Sequence, residues 1–211
     1  MISALVLSIK GALTSRVFVA IFVSLLAISL SVTYVASESR VRQSFLSINT
    51  LSSNMTMENY YPGETSTISV GDNVSWHINV YNRMGEPEYL SVKVKLLNST
   101  HQSPDVAMNL PSPELHIFET RQLLMNNSTW TIPLFWKLTE VEKQGNHAVI
   151  KSLNINGIDV SDLSIKSAGG HNFRMVIELW RYDRQLGDFS FAWSSDSDKS
   201  SVWNQIWFNV S

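Results

Sequence analysis

Five histidines, eighteen acidic residues and no cysteine are what this chain offers to chemistry. A hydrolytic site needs a nucleophile, a base and an orienting acid brought together. His77, His101, His116, His147 and His171 stand singly, without the His-x-His or His-x-x-x-His spacing that places two imidazoles on one metal ion. Four of the five fall beside turns or on outward strand positions, where a histidine is an ordinary surface residue. Asp196-Ser197-Asp198 begins like a calcium loop, but the glycine and the later bidentate glutamate are missing, which leaves a solvated loop. No G-x-S-x-G, P-loop, H-E-x-x-H or dinucleotide fingerprint occurs. Without cysteine there is no disulfide framework, thiolate metal site or thiol nucleophile. The expectation is a non-enzymatic protein with no catalytic residues, no metal and no cofactor.

Residues suited to recognition are more prominent. On predicted strands, Tyr81 falls opposite the inward Val74, Trp76, Ile78 and Val80, Trp180 opposite Phe173, Met175, Ile177 and Leu179, and Trp203 and Trp207 opposite Val202, Ile206, Phe208 and Val210. Two readings stand for them: both faces are covered, or they form a patch for a partner protein or a sugar ring. Six Asn-x-Ser/Thr sequons occur, at Asn54, Asn73, Asn98, Asn126, Asn127 and Asn209. A chain rich in Asn, Ser and Thr generates some by chance. Asn54, Asn98, Asn126 and Asn127 lie in predicted turns and are the candidate glycosylation sites; Asn73 and Asn209 adjoin or lie within strands.

The element that positions all of this is the run 17–36, VFVAIFVSLLAISLSVTYVA, twenty residues without a charge, proline or glycine. As a helix it spans roughly 30 Å, the thickness of a bilayer's hydrocarbon core. Twelve of the twenty are Val, Ile, Leu or Phe, and these outweigh the serines, threonine and tyrosine among them. Lys10 and Arg16 give a basic start, and Val35-Ala36-Ser37 resembles a cleavage site. The apolar run exceeds the roughly 7–15 residues of a cleavable signal, so a retained anchor is expected. A pilin-like cut after Lys10-Gly11 fits poorly with the apolar stretch before it and with Arg16. Residues 1–36 thus read as a basic segment and transmembrane anchor, 37–43 as a juxtamembrane hinge, and 44–211 as one domain. Lys10 and Arg16 on one flank balance Arg40 and Arg42 on the other. The amino terminus and the sequons tip the domain to the extracytoplasmic side of a single-pass membrane protein. A net charge of −2 and a pI near 6.2 argue against nucleic acid as a partner.

Downstream, alternation of period two dominates. Strands are predicted at 45–51, 74–82, 89–97, 129–138, 148–155, 172–182, 189–193 and 202–210. Val74, Trp76, Ile78 and Val80 point inward, as do Leu90, Val92, Val94 and Leu96, with Ser91, Lys93 and Lys95 outward. The second and third strands are expected to form a hairpin across 83–87. Pro133 donates no ladder bond and predicts an edge or a bulge. Residues 114–125 are ambiguous between helix and extended chain. EVEKQGN reads as a turn, and Asn156-Gly157 as a type I′ hairpin. Strands at this spacing without intervening helices predict an all-β fold, an Ig-like or fibronectin-like antiparallel sandwich behind one N-terminal transmembrane helix.

The stretches ENYYPGETSTISVGDNVSWHINVYNRMG, YLSVKVKLLNST, NFRMVIELW and VWNQIWFNV resemble archaeal membrane proteins grouped under domain of unknown function 1616. The likeness covers roughly residues 43–211 and rests on the Tyr-Pro turn, the Val-Gly-Asp turn and the Asn-x-x-Gly turn. It implies an archaeal, surface-facing β-domain on a membrane helix, with no assigned activity. Longer members carry several helices, and no role tied to those transfers to this chain. The expectation is a protein anchored in the lipid bilayer through 17–36 that contacts another envelope protein or membrane complex. A carbohydrate- or cell-wall-binding module on the same anchor is the alternative, and an enzyme with an unrecognised site stands third.

Overall fold

The computed structural model describes residues 16–37, 44–195 and 198–211. The chain divides into two compact units, Met1–Gln43 and Ser44–Ser211. In the first, helix α1 covers Arg16–Ser37, and the span Phe18–Ala36 is long and apolar enough to cross a membrane. Its hydroxyls bond back one turn: Ser24 to the Ala20 carbonyl, Ser29 to Leu25, Ser31 to Ala27 and Thr33 to Ser29, each at 2.8–2.9 Å. Polar groups satisfied in this way lower the cost of an apolar surround. The hinge assigned to 37–43 lies outside the described residues except for Ser37.

The second unit is a sandwich of two sheets. Its strands are β1 (Phe45–Ser52), β2 (Thr67–Ile68), β3 (Val74–Arg83), β4 (Glu88–Asn98), β5 (Phe118–Leu124), β6 (Thr129–Gln144) and β7 (His147–Ile155). They continue as β8 (Ile158–Val160), β9 (Ile165–Ala168), β10 (Phe173–Asp183), β11 (Asp188–Ser190), β12 (Trp193–Ser195), β13 (Asp198–Ser200) and β14 (Val202–Val210). One sheet runs β1-β3-β6-β7-β8 with β9 also on β7; the other runs β2-β14-β10-β4-β5 with β11 also on β10. Strands β12 and β13 form a separate hairpin. All pairings are antiparallel except β14 with β2.

The inward series named from the alternation all lie in the core. Trp76, Ile78, Val80, Leu90, Val92 and Val94 are fully buried. An aromatic chain joins the sheets: the Trp76 and Trp136 rings lie 5.2 Å apart, Trp136 and Phe208 5.3 Å, and Phe208 and Phe173 5.7 Å. The segment after β1 straps this core. Tyr60 donates to the Thr50 carbonyl on one sheet and Tyr61 to the Trp207 carbonyl on the other, while Trp76 Nε1 donates to the Tyr60 carbonyl at 2.7 Å. Burial, with a smaller contribution from Tyr60, pushes the Tyr61 hydroxyl far above its usual value.

Several sequence expectations are corrected here. β3 and β4 are not a hairpin: β3 pairs with β1 and β6, β4 with β10 and β5, so the chain crosses between sheets at 83–87. Facing strands of a sandwich show the same alternation as neighbours in a sheet, and period alone does not separate them. Asn82 makes the corner. Its Nδ2 donates to the carbonyls of Glu86 and Leu124, and its Oδ1 accepts from Met84 N.

β6 lies inside its sheet rather than at an edge, and its irregularity falls at 138–141. Pro133 is tolerated because β7 pairs with β6 only from Trp136 onward. Asn156 extends the ladder instead, with its side chain accepting from Phe135 N and donating to the Pro133 carbonyl. The ambiguous 114–125 contains β5, and Glu140–Gln144 belong to β6 rather than to a turn. Lys95, assigned to solvent, is 4% exposed.

Asp at Val92 would put an unpartnered carboxylate in the core, so Val92→Asp is expected to cost more than about 4 kcal/mol. Lys93→Asp removes a cation from the Trp180 ring and sets an acid opposite Glu119, for about 1–2 kcal/mol. Thermal melts of the two variants measure the difference, and equal losses contradict this register.

Candidate functional site

The outer face of the second sheet gathers the residues best suited to recognition. On β10 the series Phe173, Met175, Ile177 and Leu179 fills the core, which turns Arg174, Val176, Glu178 and Trp180 to the other side. Register places Trp207 beside Arg174 and Trp203 beside Glu178 on β14. On β4 it places Lys95 beside Val176, Lys93 beside Glu178 and Ser91 beside Trp180. Three of the four aromatics singled out by alternation, Trp180, Trp203 and Trp207, therefore share one face. Tyr81 does not join them: it pairs with Ser47 and Thr129 in the other sheet and is half-buried.

This face is partly covered, and its coverings are polar as well as aromatic. Lys95 Nζ lies 2.9 Å from Glu178 Oε2 and donates to the Ser112 carbonyl at 2.6 Å. Ser112 N and Trp180 Nε1 complete the carboxylate, at 2.9 and 3.0 Å. Glu178 is wholly buried and fully partnered. Lys93 Nζ sits 3.7 Å from the Trp180 ring centroid, and the Phe191 ring packs 5.7 Å away. Trp180 is thus committed within the domain. Trp207 is 40% exposed, with the Arg174 guanidinium 4.7 Å from its ring. Arg174 in turn donates to Gln205 Oε1 and the His101 carbonyl.

Burial alone would raise the Glu119 carboxyl. Hydrogen bonds from Arg121 and Ser91, and the charges of Arg121 and Lys93, bring it down to about 2.

A second feature escaped sequence reading. Beyond Leu179, β10 presents Arg181, whose Nε donates to Glu88 Oε2 at 2.6 Å and whose Nη2 lies 3.4 Å from Glu86 Oε1. These groups line a cleft of about 390 Å³ with Tyr89, Tyr182 and Trp193. Glu88 is 4% exposed, yet its Oε1 has no hydrogen-bond partner. A signal was present: Glu88 continues the inward series of Leu90 and Val92, and Arg181 that of Ile177 and Leu179. A charge at an inward position near a strand end marks a site that is neither core nor surface.

The sequons differ in what their amides do. Asn98 is 6% exposed; its Oδ1 accepts from Thr100 and His101, and its Nδ2 donates to the Lys166 carbonyl. Asn126 Oδ1 accepts from Gly85 N and Asn127 Oδ1 from Arg83. Asn54 is exposed, and Asn209 Oδ1 accepts from Asn172 N. Among the described residues no group of three His, Asp or Glu side chains is placed to hold a metal ion. Asp196 and Ser197, which suggested a calcium loop, lie outside the described residues.

No family model and no curated protein matches the chain. Among solved structures, the CARDB domain of a Pyrococcus furiosus protein in complex with di-metal ions is similar, with 9% identity and a TM-score of 0.37. The match covers 82% of this chain and 97% of that one. A β-glucosidase from Listeria innocua is similar in its gluconolactone complex, at 10% identity and a TM-score of 0.33, and in its glucose complex, at 8% and 0.31. Each glucosidase match covers 79% of this chain but 16% of the enzyme.

Two outcomes test the chemistry of the tryptophan face. Lys95→Met leaves Glu178 buried without its cation and is expected to cost about 3–5 kcal/mol, whereas adding Glu178→Leu recovers part of that loss. Chemical denaturation of the single and double variants measures the coupling. Glu119 is more acidic folded than the ordinary 4.5 of a free glutamate, so it stabilises the domain above that pH, and this contribution fades as pH falls toward about 2. Glu119→Gln should flatten the stability profile between those pH values, read by thermal melts from pH 6 to 2.

Proposed function

We propose that this chain is a single-pass membrane protein whose immunoglobulin-like β-sandwich, held outside the cytoplasm, docks another envelope protein without catalysing a reaction. The observation that carries the reading is the convergence of Trp203, Trp207 and Arg174 on one sheet face. Trp and Arg dominate the energetically important positions of protein interfaces. Trp207 offers a large exposed ring already held by a guanidinium, so little side-chain freedom is lost on docking. The apolar helix 18–36 supports the anchor.

Kinship with the archaeal membrane proteins of domain of unknown function 1616 belongs to the same proposal. It rests on what the shared motifs do. Tyr61-Pro62-Gly63 seats the strap on β14, with Gly63 at φ 69°. Asp72 Oδ2 accepts from Ser69 N. Asn82 and Gly85 make the crossing between sheets. Such motifs maintain a scaffold and leave the binding face free to vary.

A photo-cross-linking residue at Trp207 in native membranes is expected to trap a discrete protein, and one at Phe135, exposed on the other sheet, is not. Equal products from the two positions overturn the docking face. Protease added to intact cells should remove the domain. Where the host glycosylates, Asn54 should be occupied ahead of Asn98, whose amide is spent on Lys166. Resistance to protease until lysis overturns the location.

A further inference from the structure

We infer that two copies of this chain join edge to edge along β5, in an antiparallel pairing whose two-fold axis passes through the Thr120 pair. The observation behind it is an edge left open. The second sheet ends at β5, which has seven residues and follows β4 without a register shift. The strand contains no proline, glycine or lysine, residues that commonly keep one edge from pairing with another. Among the described residues no loop backbone bonds to 118–123. The other outermost strands offer less. β2 has two residues, β8 three and β9 four. β1 is strapped: its Thr50 carbonyl accepts from Tyr60 and its Thr50 hydroxyl from Asn204 on β14.

The charge pattern selects both the occupant and the register. Glu119 and Arg121 are the only charges on β5, and an edge charge opposes pairing unless it meets its opposite. A sheet continued across a two-fold axis keeps every side chain on its own face, so some residue must lie opposite its own copy. Centred on Glu119 or on Arg121, the pairing sets like charges directly against each other. Centred on Gln122, it sets Arg121 opposite Leu123 and forms no ion pair. Centred on Thr120, it places Glu119 opposite the second copy's Arg121 and Arg121 opposite its Glu119. Within one chain Arg121 Nε already lies 2.8 Å from Glu119 Oε1. The dimer therefore closes four side chains into one alternating network, which is worth more than separate surface pairs. Trp207 lies on β14, with β10 and β4 between it and this edge. The docking face stays free, and neither proposal depends on the other.

The test uses the full chain in a mild detergent, with self-association read by sedimentation equilibrium and by disulfide trapping. The native chain has no cysteine, so one introduced thiol reports on one position. Under mild oxidation Thr120→Cys is expected to link two copies, because residues opposite each other have Cα atoms about 4.5–5.5 Å apart. Gln122→Cys is not, since in this register its two copies are offset by four residues, roughly 14 Å along the strand. Glu119→Arg and Arg121→Glu should each weaken self-association about tenfold or more, as both cross-strand pairs become repulsive. Mixed together, these two variants should associate with each other as tightly as the parent does. The like charges within each chain remain in the mixture, so recovery comes only from pairing between chains. Gln122→Lys changes an exposed residue, so folding survives, and it should cause a similar loss by setting a cation against Phe118 of the other copy. A parent chain that stays monomeric, association indifferent to all three charge variants, a mixture no tighter than either variant alone, or Gln122→Cys linking as readily as Thr120→Cys overturns the assignment.

Discussion

The contact between Trp76 and Trp136 on one sheet and Phe208 and Phe173 on the other is what the sandwich depends on. A sheet buries one face only against another apolar surface, and these four rings carry the two inner faces together through the Trp136–Phe208 contact at 5.3 Å. Aromatic groups bring large buried area and prefer tilted or edge contacts, which fixes the sheets' relative placement as well as holding them together. The Tyr60–Tyr61 strap follows from it. Both tyrosines pack on Trp76, at 6.3 and 5.8 Å, and each then bonds a different sheet. The chain has no cysteine, so this cluster does by packing what an inter-sheet disulfide does in antibody domains.

Given that core, the route of the chain is constrained. β3 and β4 each offer an apolar face, and both faces must reach the same interior, so the connection between them turns across the sandwich. Asn82 lets it do so without stranding backbone groups: three hydrogen bonds to its side chain replace the ladder that ends there. A consequence reaches the second sheet's outer side. Because β10 lies between β4 and β14, its outward residues are flanked by Lys93 and Lys95 on one side and by Trp203 and Trp207 on the other. The tryptophan face is therefore a product of the crossing as much as of the local sequence.

Period-two alternation made the strands and their inner faces legible, because a side chain's face is decided locally. It named Val74, Trp76, Ile78 and Val80, with Leu90, Val92, Val94 and Leu96, as inward, and all of these are buried. Which strands pair was not legible at 83–87, since neighbours in a sheet and partners across a sandwich share one pattern. Lys95 escaped for a related reason. Alternation sent it outward correctly, but the cover above it comes from Ser112, 17 residues on, and from Glu178, 83 residues on in the neighbouring strand. The aromatics were legible as a set only in part. Trp180, Trp203 and Trp207 converge because β10 and β14 happen to pair, while Tyr81 sits on a strand of the other sheet.

Buried charge takes two forms here, and they mean different things. Glu178 accepts from Lys95, Ser112 and Trp180; every lone pair direction that matters is used, and the group behaves as part of the scaffold. Glu88 is almost as buried and keeps one oxygen unpaired. An orphan atom alone does not indicate a ligand: Trp136 Nε1 also lacks a partner, but it is 2% exposed within the core's ring cluster, and its cost is offset by the packing of the ring. Glu88 differs in its setting: the Arg181 guanidinium holds its other oxygen at 2.6 Å. Location separates the two orphans. One lies inside the core's ring cluster, and the other beside an ion pair near the strand end.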